Sequence, residues 1–208
     1  MTGRPRSVSD EVIFDAVAQV VTEVGPGGLT LGAVARRAGL TAPALTQRFG
    51  SKRGLLLAFA TRETGTVAEF FAAKRSGEPG PLTAVRAALA DYTGPITTRE
   101  GLANNLAFLQ RDLTDPDLHE RAAEQSRQLR AEIEKLLREA IEIGDLTTDA
   151  PEALAETLYA IYCGAQMTWA IDGAGDLTEW MAEHVDRVLA PYRTGPDRHL
   201  TARKGADR

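Results

Sequence analysis

The chain has 208 residues, 43% of them hydrophobic and 25% charged. That is one large domain or two small ones, with ordinary globular composition and enough apolar surface for a real core. Cys163 is the single cysteine, which excludes an intramolecular disulfide and any multi-cysteine metal site. The net charge of −5 is unevenly spread: residues 1–53 carry seven Lys/Arg against four Asp/Glu, the remainder 17 against 25. A basic end facing a polyanion and an acidic body facing water would give this distribution. No apolar run approaches the roughly 18–20 residues needed to span a bilayer. The polar N-terminus leads straight into an amphipathic stretch, so no secretory signal and no membrane partner are expected, and the expected location is the cytoplasm.

Met1 to Ser7 reads as an arm carrying Arg4 and Arg6. A first helix is expected from near Ser9, with Asp10 and Glu11 at its positive end. Val12, Ile13, Ala16, Val17, Val20, Val21 and Val24 give it a stripe at helical spacing, and Gly25-Pro26-Gly27-Gly28 ends it. Leu29-Thr30 opens a second, short helix in which Leu29, Val34 and Ala38 form one apolar side. Ala35 lies on the inner face, small enough for another helix to approach. Gly39 is the stop, since glycine enters the left-handed region at no steric cost. Leu40 returns to the core, and Thr41 is placed to cap a third helix, Ala42 to Phe49. Leu45 and Phe49 are its inner face, while Thr46, Gln47 and Arg48 point outward. Two short helices meeting at a glycine turn are the layout of a helix-turn-helix, whose second helix enters the DNA major groove.

A fourth helix is expected from Ser51 or Lys52 to about Lys74, with Leu55, Leu56, Phe59, Val67, Phe70 and Phe71 as core candidates. Gly65 weakens it by about 1 kcal/mol relative to Ala, so a bend is expected there. After the loop Ser76–Pro81, helices are expected over Leu82–Thr93 and Arg99–Leu113. A long helix follows, opened by Asp115-Pro116 and ended by Gly144. Two more run from Ala150-Pro151-Glu152 to about Ile171 and from Leu177 to Ala190. The last stretch, 193–208, is polar with five basic residues and is expected to lack order. Strict alternation occurs nowhere, so the expected fold class is all-α with about nine helices.

The run from Val12 to Leu57 resembles the DNA-binding domain of the TetR family of bacterial repressors. The features that carry the resemblance are Ile13-Phe14-Asp15-Ala16, Gly25, Leu29-Thr30, then Val34-Ala35-Arg36-Arg37-Ala38-Gly39-Leu40-Thr41, Phe49, and Ser51-Lys52 leading to Leu55. The resemblance implies a three-helix helix-turn-helix domain over 1–50, a helical ligand-binding and dimerisation domain over 51–192, and a tail over 193–208. It implies a transcriptional regulator, most often a repressor in this family. Such a protein binds a palindromic double-stranded DNA operator as a homodimer, is released by a small-molecule effector, and needs no cofactor. The expected DNA-binding residues are Thr30, Arg36, Thr41, Ala42, Pro43, Ala44, Thr46, Gln47, Arg48 and Lys52. Thr30 caps its helix with a hydroxyl placed to donate to a phosphate, and Lys52 adds its charge to a helix N-terminus facing one. Arg48 stands where the family usually has His, Thr46 where an aromatic is common, and Ala44 where Thr is usual. The missing aromatic at 46 keeps a second reading open, a dimeric ligand-binding or scaffold protein with weak or lost DNA binding.

The resemblance implies a pocket in the body, with Phe70, Tyr92, Asn105, Phe108, Leu109, Tyr162, Gln166 and Trp169 as candidate lining residues. Polar groups among apolar walls fix a small molecule's orientation, and a buried amide needs a partner. The penultimate helix is apolar on two sides and must be covered twice. Leu158, Ile161 and Ala165 on it, with Trp180, Met181, Val185, Val188 and Leu189 on the last helix, are the expected dimer interface. No catalytic or metal-binding residues are expected. His119 and His184 belong to no metal or nucleophile motif, and Cys163 has no histidine near it in sequence.

Overall fold

The computed structural model describes residues 8–94, 96–173 and 175–195. Its elements are α1 (Asp10–Gly28), α2 (Leu31–Arg37), α3 (Ala42–Phe49), α4 (Lys52–Gly65), α5 (Val67–Gly77), α6 (Pro81–Asp91), α7 (Arg99–Thr114), α8 (Pro116–Glu142), α9 (Pro151–Asp172) and α10 (Leu177–Leu189). A short 3₁₀ turn, Ala190–Tyr192, follows. No strand occurs among the described residues, only an isolated antiparallel bridge between Leu146 and Arg193. The interruption expected at Gly65 falls at Thr66 and divides one expected helix into α4 and α5. The arm Met1–Ser7 and the tail beyond Gly195 lie outside the described residues.

The chain divides into two compact units, residues 1–65 with 96–125, and residues 66–95 with 126–208. This division by packing differs from the division by function expected from sequence, because α4 and α7 pack into the first unit. The first unit is built on α1, whose Ile13, Phe14, Val17, Val20 and Val21 meet Leu29, Val34, Ala35, Leu45, Leu55 and Leu56 in one apolar core. Ser9 caps α1, its hydroxyl accepting from the Val12 amide. The expected stop at Gly25 is a kink: that residue has φ +69°, and one further turn reaches Gly28. The kink is also a close approach. The Asn104 amide nitrogen donates to the Thr22 carbonyl at 3.0 Å, and a Cβ on Gly25 would lie 2.9 Å from Asn104 Oδ1.

The core of the second unit gathers Val67 and Phe71 from α5, Val85 and Leu89 from α6, Ile133 and Leu137 from α8, Leu154 and Leu158 from α9, and Val185 and Leu189 from α10. The residues after α10 are fastened to the α8–α9 loop. The Thr147 amide donates to the Tyr192 carbonyl at 2.8 Å and the Thr194 amide to the Asp145 carbonyl at 3.0 Å. Order therefore continues through Thr194, past the expected boundary at 193.

The second unit also corrects the expected dimer face. Leu158, Ala165, Met181, Val185 and Leu189 are buried inside a single protomer, so they are not free to meet a second copy. Ile161, Trp180 and Val188 are half-buried. The cause lies in the two apolar sides of α9: the line through Leu154, Leu158 and Ala165 turns inward. The opposite line carries Ala160, Gly164, Met167 and Ile171, and there Met167 and Ile171 are 52% and 75% exposed.

Candidate nucleic-acid interface

The α2–turn–α3 segment is held by caps and by one buried side chain. Thr30 Oγ1 accepts from the Ala33 amide at 3.1 Å, and Thr41 Oγ1 from the Ala44 amide at 3.4 Å, so each threonine satisfies a donor that its helix leaves orphaned. Gly39 takes φ +69° between them, and the Leu40 amide reaches back to the Ala35 carbonyl at 2.7 Å. Pro43 occupies the first turn of α3, where its missing N–H costs no hydrogen bond. Leu45 is fully buried and fixes which side of α3 faces in. Thr41, Pro43, Thr46, Gln47 and Arg48 are consequently exposed, with Ala42 and Ala44 partly so.

These outward groups differ in their freedom. The Thr46 hydroxyl donates to the Ala42 carbonyl at 3.1 Å, which leaves only its lone pairs outward. Gln47 and Arg36 are exposed, and their side chains have no protein partner among the described residues. Arg37 pairs with Glu23 at 2.6 Å and with Gln19 at 3.1 Å, bracing α2 on α1. Arg48 is occupied: Nε lies 2.7 Å from Asp10 Oδ1, Nη1 donates to the Val8 carbonyl at 2.7 Å, and the guanidinium lies over the Phe49 ring. Lys52 is occupied as well, its ammonium donating to the carbonyls of Pro26 at 2.7 Å and Gly27 at 3.5 Å. Burial, followed by the charge of Arg111, holds the Lys52 pKa below that of an ordinary lysine.

Two features of this unit carry no signal in the sequence. Arg53 forks onto Asp115, with Nε to Oδ2 and Nη2 to Oδ1 each at 2.8 Å, and reaches Asp117 at 2.5 Å. These hydrogen bonds hold Asp115 below the usual carboxylate range. From sequence, Asp115-Pro116 reads only as the start of a helix. Three residues before Asp115, Asp112 keeps a buried Oδ1 with no hydrogen-bond partner. Burial pushes its carboxyl up to about 7, against the opposing pull of Arg111.

The expected pocket residues fall into both units. Asn105, Phe108 and Leu109 belong to the first. There Asn105 donates to Thr22 Oγ1 at 3.2 Å and to the Gly101 carbonyl at 2.8 Å, Phe108 meets Phe59 edge-on, and Leu109 is exposed. In the second unit, Phe70, Tyr92 and Tyr162 form a chain of edge-to-face rings with centroids 5.2 and 6.0 Å apart. Gln166 donates to the Tyr162 carbonyl at 3.1 Å, and the buried Trp169 donates its indole N–H to the Gly175 carbonyl at 3.2 Å. Both amides that sequence favours as ligand contacts thus have partners within the chain. No group of three or more His, Cys, Asp or Glu able to hold a metal occurs among the described residues. No helix among them is long and apolar enough to cross a membrane.

Comparison with known proteins places this geometry. Residues 13–59 match the family described as bacterial regulatory proteins, tetR family, and residues 81–190 match the C-terminal domain of BetI-type transcriptional repressors. No curated protein matches the sequence. Among solved structures, a TetR transcription regulator from Haloarcula marismortui superposes with a TM-score of 0.72 at 16% identity, over 89% of this chain and 98% of its own. NemR of E. coli in its reduced form gives 0.71 at 18%, over 89% and 97%. SmeT, the repressor of the Stenotrophomonas maltophilia multidrug efflux pump SmeDEF, gives 0.64 at 22%, over 91% and 93%. Identities this low speak for the fold alone, but the two family matches cover the helix-turn-helix and more than half of the chain. The chain is a DNA-binding transcriptional regulator and belongs to the TetR family.

Proposed function

We propose that the chain represses transcription by laying α3 in the major groove of a palindromic operator, as a homodimer that a small molecule releases. The observation that carries this reading is the division of α3 by Leu45. One buried residue anchors the helix, and the opposite side presents Pro43, Ala44, Thr46 and Gln47. Gln47 is the base reader, because a free amide offers the paired donor and acceptor that match the edge of adenine. Ala44 and the Thr46 methyl suit a thymine methyl. Thr30, Thr41 and Arg36 flank the helix as phosphate contacts, with Arg48 at its edge. In this scheme residues 1–50 are the DNA-reading domain and 51–192 the ligand-binding and dimerisation domain, acting in the cytoplasm.

One helix-turn-helix covers one half-site, and a two-fold pair spans two, about 34–36 Å apart. The face for pairing is the outward side of α9, with Ala160, Gly164, Met167 and Ile171, flanked by Ile161 and by Trp180 and Val188 of α10. Ala160 and Gly164 are small enough to let a second helix approach. The effector pocket draws on Phe70, Tyr92, Tyr162, Gln166 and Trp169. A solved SmeT–triclosan complex, related at 23% identity with a TM-score of 0.63 over 90% of this chain and 92% of its own, supports a small-molecule effector. Effector binding favours a conformation in which α4 has shifted and the two reading helices no longer match their half-sites.

The test is selection from a random-sequence duplex pool. Enrichment of an inverted repeat with half-sites one helical turn apart, bound with steep salt dependence, is the expected result. A protein that enriches no sequence while still forming a dimer would support the scaffold reading.

A further inference from the structure

The edge of the reading helix holds the chain that precedes α1. Arg48 lies in the last turn of α3; its Nη1 donates to the Val8 carbonyl at 2.7 Å, and its Nε pairs with Asp10 at 2.7 Å. Val8 itself packs against the core of the first unit, and Ser9 caps α1. Val8 is thereby fixed beside α3 in two ways, by packing and by a guanidinium at the edge of the exposed side of that helix. The residues before it read Met1-Thr2-Gly3-Arg4-Pro5-Arg6-Ser7, with two arginines and no acidic residue. Proline disfavours the helical region for the residue before it, so Arg4-Pro5 reads as an extended dipeptide. Gly3, Pro5 and Ser7 are small or compact, which leaves the two arginines as the projecting groups of a narrow run. An extended chain gains about 3.3–3.6 Å per residue at most, so Arg6 can stand about 7 Å from Val8 and Arg4 about 14 Å.

We propose that Arg4 and Arg6 form a second reading element, which enters the minor groove next to the major groove that α3 occupies and favours A·T pairs there. This rests on the DNA-reading function proposed above, and it adds residues outside the helix-turn-helix to the specificity of the chain. A helix seated in the major groove has a sugar-phosphate strand at its edge, with the minor groove on the far side of that strand. Arg48 stands at the edge of α3, so the chain leaving Val8 starts beside the strand and has two to four residues and an arginine side chain with which to cross it. The minor groove is about 6 Å wide, too narrow for a helix but open to an extended run. Its A·T stretches are narrower still and carry an enhanced negative potential that attracts arginine, whereas a G·C pair puts an amino group on its floor. The anchored Val8 makes this contact intramolecular once α3 is seated, which raises the effective concentration of the two arginines at the groove.

The experiment uses the full chain and the double variant Arg4→Ala/Arg6→Ala, whose changes precede α1. The duplexes carry the half-sites that the wild type selects from a random pool, bordered by A·T, G·C or inosine·C pairs. Inosine lacks the minor-groove amino group of guanine and keeps its major-groove acceptors, so it separates the two grooves. The wild type should bind the duplexes with A·T and inosine·C borders about tenfold tighter than the one with G·C borders, the scale of one base contact. The double variant should bind all three alike, with a flatter log–log salt dependence. A variant that keeps the wild-type preference would overturn the proposal, whether or not its overall affinity falls, because the arginines would then touch phosphates alone or nothing. So would inosine·C borders that behave as G·C borders, or a wild type indifferent to the border. A wild type that selects no half-sites would remove the DNA-reading function and this proposal with it, a failure recognised before any border is varied.

Discussion

The reading helix α3 and the body helix α9 make an instructive pair. Both are amphipathic in some degree, both have a proline in the first turn, and both are candidates to touch another macromolecule. On α3 a single fully buried residue, Leu45, sets the orientation, and everything opposite it is polar or small. On α9 apolar residues run down two sides, and the sequence holds no marker for which side is the protomer's own core. The difference teaches that periodicity identifies a binding face only when the helix has one apolar side. A doubly apolar helix gives the existence of a second interface and withholds its location.

The sharpest way to break that comparison is at the two sides of α9. Leu158→Ala empties a fully buried position and should cost about 2–5 kcal/mol, seen as a lower melting temperature. Ile171→Asp alters an exposed residue. It should leave the protomer's far-ultraviolet spectrum intact and convert dimer to monomer in sedimentation. Dissociation by Leu158→Ala without loss of stability would return that residue to the interface.

Smaller in energy, and aimed at α3, is Gln47→Ala. It removes no hydrogen bond or ion pair to the described residues, so the melting temperature should hold while discrimination at one base pair per half-site falls by about 1–3 kcal/mol. Arg36→Gln, which discards the one exposed, unpartnered cation of α2 among the described residues, should flatten the salt slope by about one unit per protomer. An unchanged slope would place Arg36 away from the DNA backbone.

The smallest effect tests α7. The Asp112 carboxyl stands at about 7 in the folded chain, above its unfolded value. The folded state therefore holds a proton that the unfolded state releases, and stability falls as pH rises from about 4 towards 7. Asp112→Asn removes the buried charge, so it should raise the melting temperature by several degrees at pH 8 and change it little near pH 4. Equal shifts at both values would show that the gain has another origin.

How far the sequence could be read follows from the same physics. The helix start near Ser9, the caps Thr30 and Thr41, the glycine turn at Gly39 and the buried Leu45 were all legible, because capping and turn chemistry are local and each residue type has one cheap place to go. The break at Gly25 was legible too, though not the reason it must be glycine, which is the close approach of Asn104 from far along the chain. The occupied states of Arg48 and Lys52 were not legible. Their partners are a distant carboxylate and backbone carbonyls, and a carbonyl has no signature in the sequence. The same holds for Asn105 and Gln166: a buried amide does need a partner, but the backbone supplies it.

The account stands on Gln47 reading a base from α3. Interference by guanine N7 methylation and by 7-deazaadenine substitution on the selected duplex, compared between the wild type and Gln47→Ala, tests it directly. The prediction is a symmetric major-groove pattern for the wild type that loses one position in each half-site in the variant. Identical patterns for the two proteins, or a wild type insensitive to major-groove modification, would contradict it.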